Sequence, residues 1–132
     1  MNTLYMQALR ANKGSVPGEL GVIPSLIMTT VGAKSGEKRS VPLACQVIDG
    51  RLVIVASMGG SVRNPPWFHN LVKNPQVVVE TDGESFAATA VVTEGEDRSY
   101  LYRKVAEALP AFKEYQERTA RVIPVIELKR IA

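Results

Sequence analysis

Three short segments carry the residue types that could do chemistry. The first runs Gly32-Ala33-Lys34-Ser35-Gly36-Glu37-Lys38-Arg39 and collects two glycines, a hydroxyl and three cations. Such a loop suits an anion, because glycines let backbone N–H groups converge, Ser35 adds a donor, and Lys34 and Arg39 supply charge-assisted bonds. The Gly-x-x-x-x-Gly-Lys-Ser/Thr spacing of a phosphate loop is absent, and a polar hairpin turn with solvated charges explains the same residues equally well. The second segment is Ala56-Ser57-Met58-Gly59-Gly60. Adjacent glycines after an apolar strand admit a flat ligand or another backbone, and they also simply end strands. The third is Asn64-Pro65-Pro66-Trp67-Phe68-His69-Asn70, where the only Trp follows a proline pair. Trp67 there can belong to the core or wall a planar pocket.

Other chemistries are excluded by shortage. The chain has one His and one Cys among 132 residues, whereas a zinc site of the Cys/His type needs three or four ligands. A Ser-His-Asp triad would have to use His69, inside a segment that reads as helix, and no nucleophile elbow is present. Cys45 has no partner for a disulfide within the chain and sits in an apolar alternating run, as a small core residue does. The 16 Lys and Arg against 13 Asp and Glu leave a formal charge of +3, which favours anionic partners only mildly. The basic residues are too few, and too little interleaved with aromatics, for a nucleic-acid module. No apolar run reaches membrane-span length, and the first residues do not read as a signal peptide. Leu4, Ala8 and Ala11 form a weak stripe, so the expectation is a cytoplasmic protein with at most peripheral contact with the inner face of the membrane.

The elements that would position these segments follow from periodicity. Residues 26–31 are β-formers stopped by the glycine turn. Residues 40–48 alternate, with Val41, Leu43, Cys45 and Val47 on one face. Asp49-Gly50 is a two-residue hairpin signal, and residues 52–57 return as a strand apolar on both faces and hence central. Asn64 is placed to cap a short helix from Pro65 or Pro66 to about Lys73. Residues 77–81 and 85–92 pair around Asp82-Gly83-Glu84. Thr93-Glu94-Gly95-Glu96 fits a capping box, followed by Leu101, Val105, Ala108 and Leu109 at helical spacing. Pro110 interrupts this helix, a further helical piece carries Phe112 and Tyr115, and residues 122–128 form a last strand. The expectation is a single α+β domain, residues 1–132, with about six mostly antiparallel strands partly closed into a barrel and helices packed outside.

The order of these motifs resembles the deazaflavin-dependent nitroreductase family. The resemblance rests on Thr29-Thr30-Val31-Gly32-Ala33-Lys34-Ser35-Gly36, Arg39 with Val41-Pro42-Leu43, Ala56-Ser57-x-Gly59-Gly60, Asn64-Pro65-x-Trp67-Phe68-x-Asn70-Leu71, Asn74-Pro75, Phe112-x-x-Tyr115-Gln116 and Arg121-x-Ile123-Pro124-Val125. It implies a split β-barrel that uses reduced coenzyme F420 to pass a hydride to a quinone, enone or nitro compound. It further implies that the loop from Ala33, through Lys34, Ser35 and Arg39, with the backbone of Ser40, Val41, Pro42, Leu43 and Ala44, holds the phosphate and acidic tail of F420. Val55, Ala56, Ser57 and Met58 would lie along the deazaflavin ring. Pro66, Trp67, Phe68, His69 and Asn70 would close over cofactor and substrate, with Trp67, Phe112 and Tyr115 bordering the acceptor. Ser57, or N–H groups near it, would donate to the ring or the acceptor oxygen, and Tyr115 or solvent would supply the proton. Ala33 stands where the family usually has Arg, Met58 where Lys is common, and Leu109 and Phe112 where hydroxyl-bearing aromatics are common. Losing two cations should weaken cofactor binding by about 1–3 kcal/mol unless Lys38 or Arg63 compensates, and the missing hydroxyls point to a more apolar acceptor pocket. An F420 carrier without turnover, or a related split barrel using FMN, are the alternative readings, and a homodimer is allowed.

Overall fold

The computed structural model describes residues 15–18 and 21–131. Eight strands are seen among them: β1 (Ser15–Gly18), β2 (Gly21–Val31), β3 (Lys38–Ala44), β4 (Gln46–Ile48), β5 (Arg51–Val55), β6 (Gln76–Thr81), β7 (Glu84–Val92) and β8 (Val125–Arg130). The helices are α1 (Pro66–Lys73), α2 (Gly95–Ala108) and α3 (Ala111–Glu117), and a 3-10 turn spans Met58–Gly60. The apolar stripe at Leu4, Ala8 and Ala11 lies outside the described residues.

Neighbouring strands run β1-β2-β6-β7-β8-β5-β4, with β3 on the other side of β2, and these ladders are antiparallel. β3 and β4 are one passage of chain broken only at Cys45. Its first part pairs with β2 and its last part with β5. The ring β2-β6-β7-β8-β5-β4/β3 therefore closes through this shared passage, giving a split barrel of six strands with β1 added outside. Closure leaves few free edges.

The break at Cys45 overturns the simple alternation expected for residues 40–48. Cys45 and Ile48 are buried while Val47 is 71% exposed, so the inward face changes across the break. The Cys45 N–H donates to the Pro24 carbonyl at 2.9 Å, which supplies the backbone bond at the point where the passage leaves β2. The β4–β5 and β6–β7 turns are two-residue loops with positive φ at each position: Asp49 and Gly50 at 52° and 77°, Asp82 and Gly83 at 51° and 75°. That geometry follows the right-handed twist of the strands it joins.

Two packed clusters result. Leu26, Met28, Ile54, Val79, Ala88 and Ile126 fill the barrel together with Trp67 and Leu71 of α1. Val53, Val125 and Ile123 meet Leu101, Tyr102 and Val105 of α2 on the outside. β5 thus buries Val53 on one face and Ile54 on the other, as its two-sided apolar pattern requires. Two expected caps are not made. Thr93 Oγ1 donates to the Val125 carbonyl at 2.8 Å and Glu94 occupies the cap position of α2, while Asn64 accepts from Arg121 and Pro65 precedes α1. In each case the side chain makes a long-range tie in place of the local cap.

Candidate active site

A cleft of about 580 Å³ opens between the glycine loop after β2 and the start of α1. Of the residues expected to hold a cofactor, Ala33, Lys34, Ser35, Arg39, Val41, Pro66, Trp67, His69 and Asn70 line it. Thr30 and Gly32 join them and were not among the expected contacts. The lining thus combines two cations, Lys34 and Arg39, with the apolar side chains of Val41, Pro66 and Trp67. The volume suits a small-molecule site of 300–1,000 Å³.

The loop is held as much from α1 as by its own turn. The side chain of Asn70 accepts from the Ala33 N–H at 3.0 Å and donates to Thr30 Oγ1 at 3.1 Å. Lys73 Nζ donates to the Ala33 carbonyl at 2.8 Å, and Asn74 Nδ2 reaches the Val31 carbonyl at 3.5 Å. Inside the loop, Gly32 N–H donates to Glu37 O, Gly36 N–H to Gly32 O, and Glu37 N–H to Ser35 Oγ. These bonds occupy backbone donors that the sequence suggested could converge on an anion. The charged side chains lining the cleft are Lys34, which is exposed, and Arg39, bonded to Glu37 Oε2 at 2.9 Å.

The second segment is fixed from the far end of the chain. Arg121 donates to the carbonyls of Ala56, Ser57 and Ser61 and to Asn64 Oδ1 at 2.7–3.2 Å. Burial lowers the Arg121 pKa, and carbonyl oxygens stand in for a carboxylate. Met58, 53% exposed, has φ of 47°, an uncommon conformation for a non-glycine residue. Gly60 has φ of 82°, and a Cβ there would lie 2.8 Å from the Tyr115 carbonyl oxygen, so α3 packs directly on this turn.

Several expected residues do not line the cleft. Ala56 is fully buried in the barrel core, so its side chain is out of reach of a ligand. Phe68 and Leu43 pack against that core, and the Ser40 hydroxyl shares a 2.7 Å hydrogen bond with Thr29. Pro42 is half-buried in β3 opposite Ile27. Ala44, Val55 and Phe112 meet instead at a narrow crevice beside Cys45. Phe112 and Tyr115 pack against the second cluster with their rings edge to face at 5.3 Å, and Ser57 is held from behind by its carbonyl. Sequence reasoning missed Asn70 as a clamp, Lys73 and Arg121. Only the Asn-Pro and Arg-x-Ile-Pro spacings marked their neighbourhood.

Comparison with known proteins bears on this arrangement. The family model for F420H(2)-dependent quinone reductases matches residues 3–129. An F420H(2)-dependent quinone reductase of Mycobacterium tuberculosis is 38% identical over 113 residues, 83% of this chain and 76% of that protein. A solved F420-H2 dependent reductase, FDR-A, is 40% identical with a TM-score of 0.73, covering 80% of this chain and 94% of that one. A second solved structure, described as a domain-swapped dimer, has a TM-score of 0.73 at 35% identity over 96% of this chain and 97% of its own. With a family match across nearly all residues and relatives at these identities on the same barrel, the chain belongs to the F420H(2)-dependent quinone reductase family.

Proposed function

We propose that this F420H2-dependent reductase delivers its hydride to a quinone, and that the cleft between the glycine loop and α1 receives the cofactor. The observation that carries this reading is the placement of Lys34 and Arg39 in the same cleft as Trp67. An acidic, phosphate-bearing tail needs cations, and a flat ring system needs an apolar wall, so the donor set fits the group. Reduced F420 supplies the hydride, which leaves this chain the tasks of binding, orientation and proton supply.

In this reading Lys34 and Arg39 bind the anionic tail, with Ser35 adding a hydroxyl, and Val41, Pro66 and Trp67 flank the ring. Ser57, at the end of β5, donates toward the ring or the acceptor oxygen. Tyr115, packed beside Gly60, or solvent returns the proton that completes reduction of the quinone. Met58 and Phe112 add apolar surface where charge or a hydroxyl would favour a more polar acceptor. The reading treats residues 1–132 as one cofactor-binding domain. Among the described residues no helix is long and apolar enough to cross a membrane, and the proposed location is the cytoplasm, with peripheral contact sufficing to meet a lipid-soluble quinone. The relative solved as a domain-swapped dimer supports a homodimer for this chain as well.

Titration with F420 and with FMN, followed by anaerobic mixing with reduced F420 and menadione, tests the reading. Binding of F420 in preference to FMN and reoxidation only when enzyme and quinone are both present is the expected result. Binding without reoxidation would mark a carrier, and preference for FMN would overturn the cofactor assignment.

A further inference from the structure

Thr30 continues the inward row of Leu26 and Met28 on β2. It is 1% exposed and yet lines the cleft between the glycine loop and α1. Valine has the same shape and would fill this place without bringing a hydroxyl into the barrel. In the ladder between β2 and β3, Thr30 stands directly opposite Arg39, so the two side chains rise as neighbours on one face.

The hydrogen bonds around Thr30 fix the role of its hydroxyl. The Ala33 N–H can only donate, so it takes the Asn70 amide oxygen at 3.0 Å and turns the amide nitrogen to Thr30 Oγ1 at 3.1 Å. Thr30 Oγ1 is thereby an acceptor toward α1, and its own proton has no acceptor among the described residues. Ser35 Oγ likewise accepts from the Glu37 N–H at 3.1 Å. Loop carbonyls are taken too, Gly32 O by the Gly36 N–H and Ala33 O by Lys73. Thr30, Ser35, Lys34 and Arg39 are left offering donors, from β2, the loop and β3. A buried donor without a partner is costly, and a ligand oxygen supplies the partner.

We propose that Thr30 is a further ligand-binding residue, its hydroxyl donating to a phosphate oxygen of the cofactor tail beside Arg39 while Asn70 holds it as a donor. The proposal deepens the reading above and rests on it for the identity of the cofactor. A tetrahedral phosphate only accepts and presents oxygens in several directions, which matches donors arriving from three segments. A sugar hydroxyl or an amine would bring a proton to side chains whose acceptor atoms are already engaged.

Titration of the native chain and its variants with F420 and, separately, with inorganic pyrophosphate tests this. Thr30→Val keeps the shape and removes the hydroxyl, and its F420 affinity is expected to fall about 10- to 100-fold. Thr30→Ser keeps the donor and should stay within about threefold of the native chain. Because Thr30→Val also takes a partner from Asn70, the double variant with Asn70→Ala separates the two roles. There the tie to Asn70 is already gone, so a purely structural Thr30 would cost nothing more, whereas a ligand donor should still cost about threefold or more. An unchanged F420 affinity in Thr30→Val, or no further loss on adding it to Asn70→Ala, overturns the proposal. Should Thr30→Val fail to fold, Thr30→Ala removes the same hydroxyl and is judged by the same two comparisons. F420 binding that depends on Thr30 in this way supports the proposal whether or not pyrophosphate alone is held. A native chain that binds pyrophosphate through Thr30 but does not bind F420 would refute the cofactor reading and leave the phosphate role of Thr30 standing. Absence of binding to both would overturn both.

Discussion

Asn70 and Ala33 are joined at 3.0 Å, the Asn70 side-chain oxygen accepting the Ala33 N–H while its amide donates to Thr30 Oγ1. One side chain on α1 thereby sets the position of the glycine loop relative to β2. Thr30 is almost completely buried, and losing Asn70 takes away the side-chain donor to its hydroxyl. Asn70→Ala is expected to lower stability by about 1–3 kcal/mol and to weaken F420 binding by about 5- to 50-fold, because the loop cations lose their register with Trp67. Asn70→Asp can still accept from Ala33 but not donate to Thr30, and it adds a negative charge to the cleft. Its F420 affinity should fall further than its stability. Thermal denaturation and F420 titration of both variants check this, and an unchanged affinity in Asn70→Asp would contradict it.

Glu37 holds Arg39 at 2.9 Å, with both side chains 65% exposed. An exposed pair of this kind contributes about 0–1 kcal/mol to stability, so its removal is cheap. Glu37→Gln frees Arg39 for the cofactor tail and removes a negative charge from the cleft rim. F420 binding should tighten about two- to fivefold at low salt, with a smaller gain at high salt as screening shortens the reach of the charges. A weaker affinity in this variant would mean that Glu37 orients Arg39 rather than competes for it.

Much of the barrel was legible because its signals are local. Asp49-Gly50 and Asp82-Gly83 name their turns, and the two-sided apolar run of β5 names a central strand. The change of face at Cys45 was not legible, since alternation carries no mark of where one passage leaves β2 for β5. The anion loop could be read from Gly32, Lys34 and Arg39, but its clamp could not. Asn70 lies 37 residues from Ala33, and Asn64 lies 57 residues from Arg121. Both asparagines have strong local roles open to them as caps or turn formers, and only the folded barrel brings up the distant partner that wins.

Cys45 gives a pH-dependent prediction. Burial, with a smaller contribution from the Asp82 charge, raises its thiol pKa from an ordinary 9.0 to about 11. The unfolded chain therefore loses this proton first, and between about pH 9 and pH 11 the folded state binds more protons than the unfolded state. Stability falls as pH rises through that window, by at most about 1.4 kcal/mol per pH unit from this group, and the contribution is fully retained below it. Denaturant midpoints from pH 8 to about pH 11 should decline more steeply in the native chain than in Cys45→Ala. Parallel curves would place the thiol's titration outside this window.

Gly60 and Gly50 share a left-handed backbone but not a neighbourhood. Their φ angles are 82° and 77°, so an alanine at either position meets similar conformational strain, of about 1 kcal/mol. Around Gly50 nothing lies within 4 Å of an added Cβ, whereas at Gly60 it would stand 2.8 Å from the Tyr115 carbonyl oxygen and 3.1 Å from the Tyr115 Cα. Backbone atoms cannot swing aside as a side chain can, so Gly60→Ala must push α3 outward. The expected loss is about 1–3 kcal/mol beyond that of Gly50→Ala. Because α3 carries Tyr115 and Phe112, kcat should fall in Gly60→Ala and stay unchanged in Gly50→Ala, with F420 affinity near native in both. Equal losses of stability in the two variants would show that α3 yields freely, and would remove the reason for Gly60 to be glycine beyond its φ.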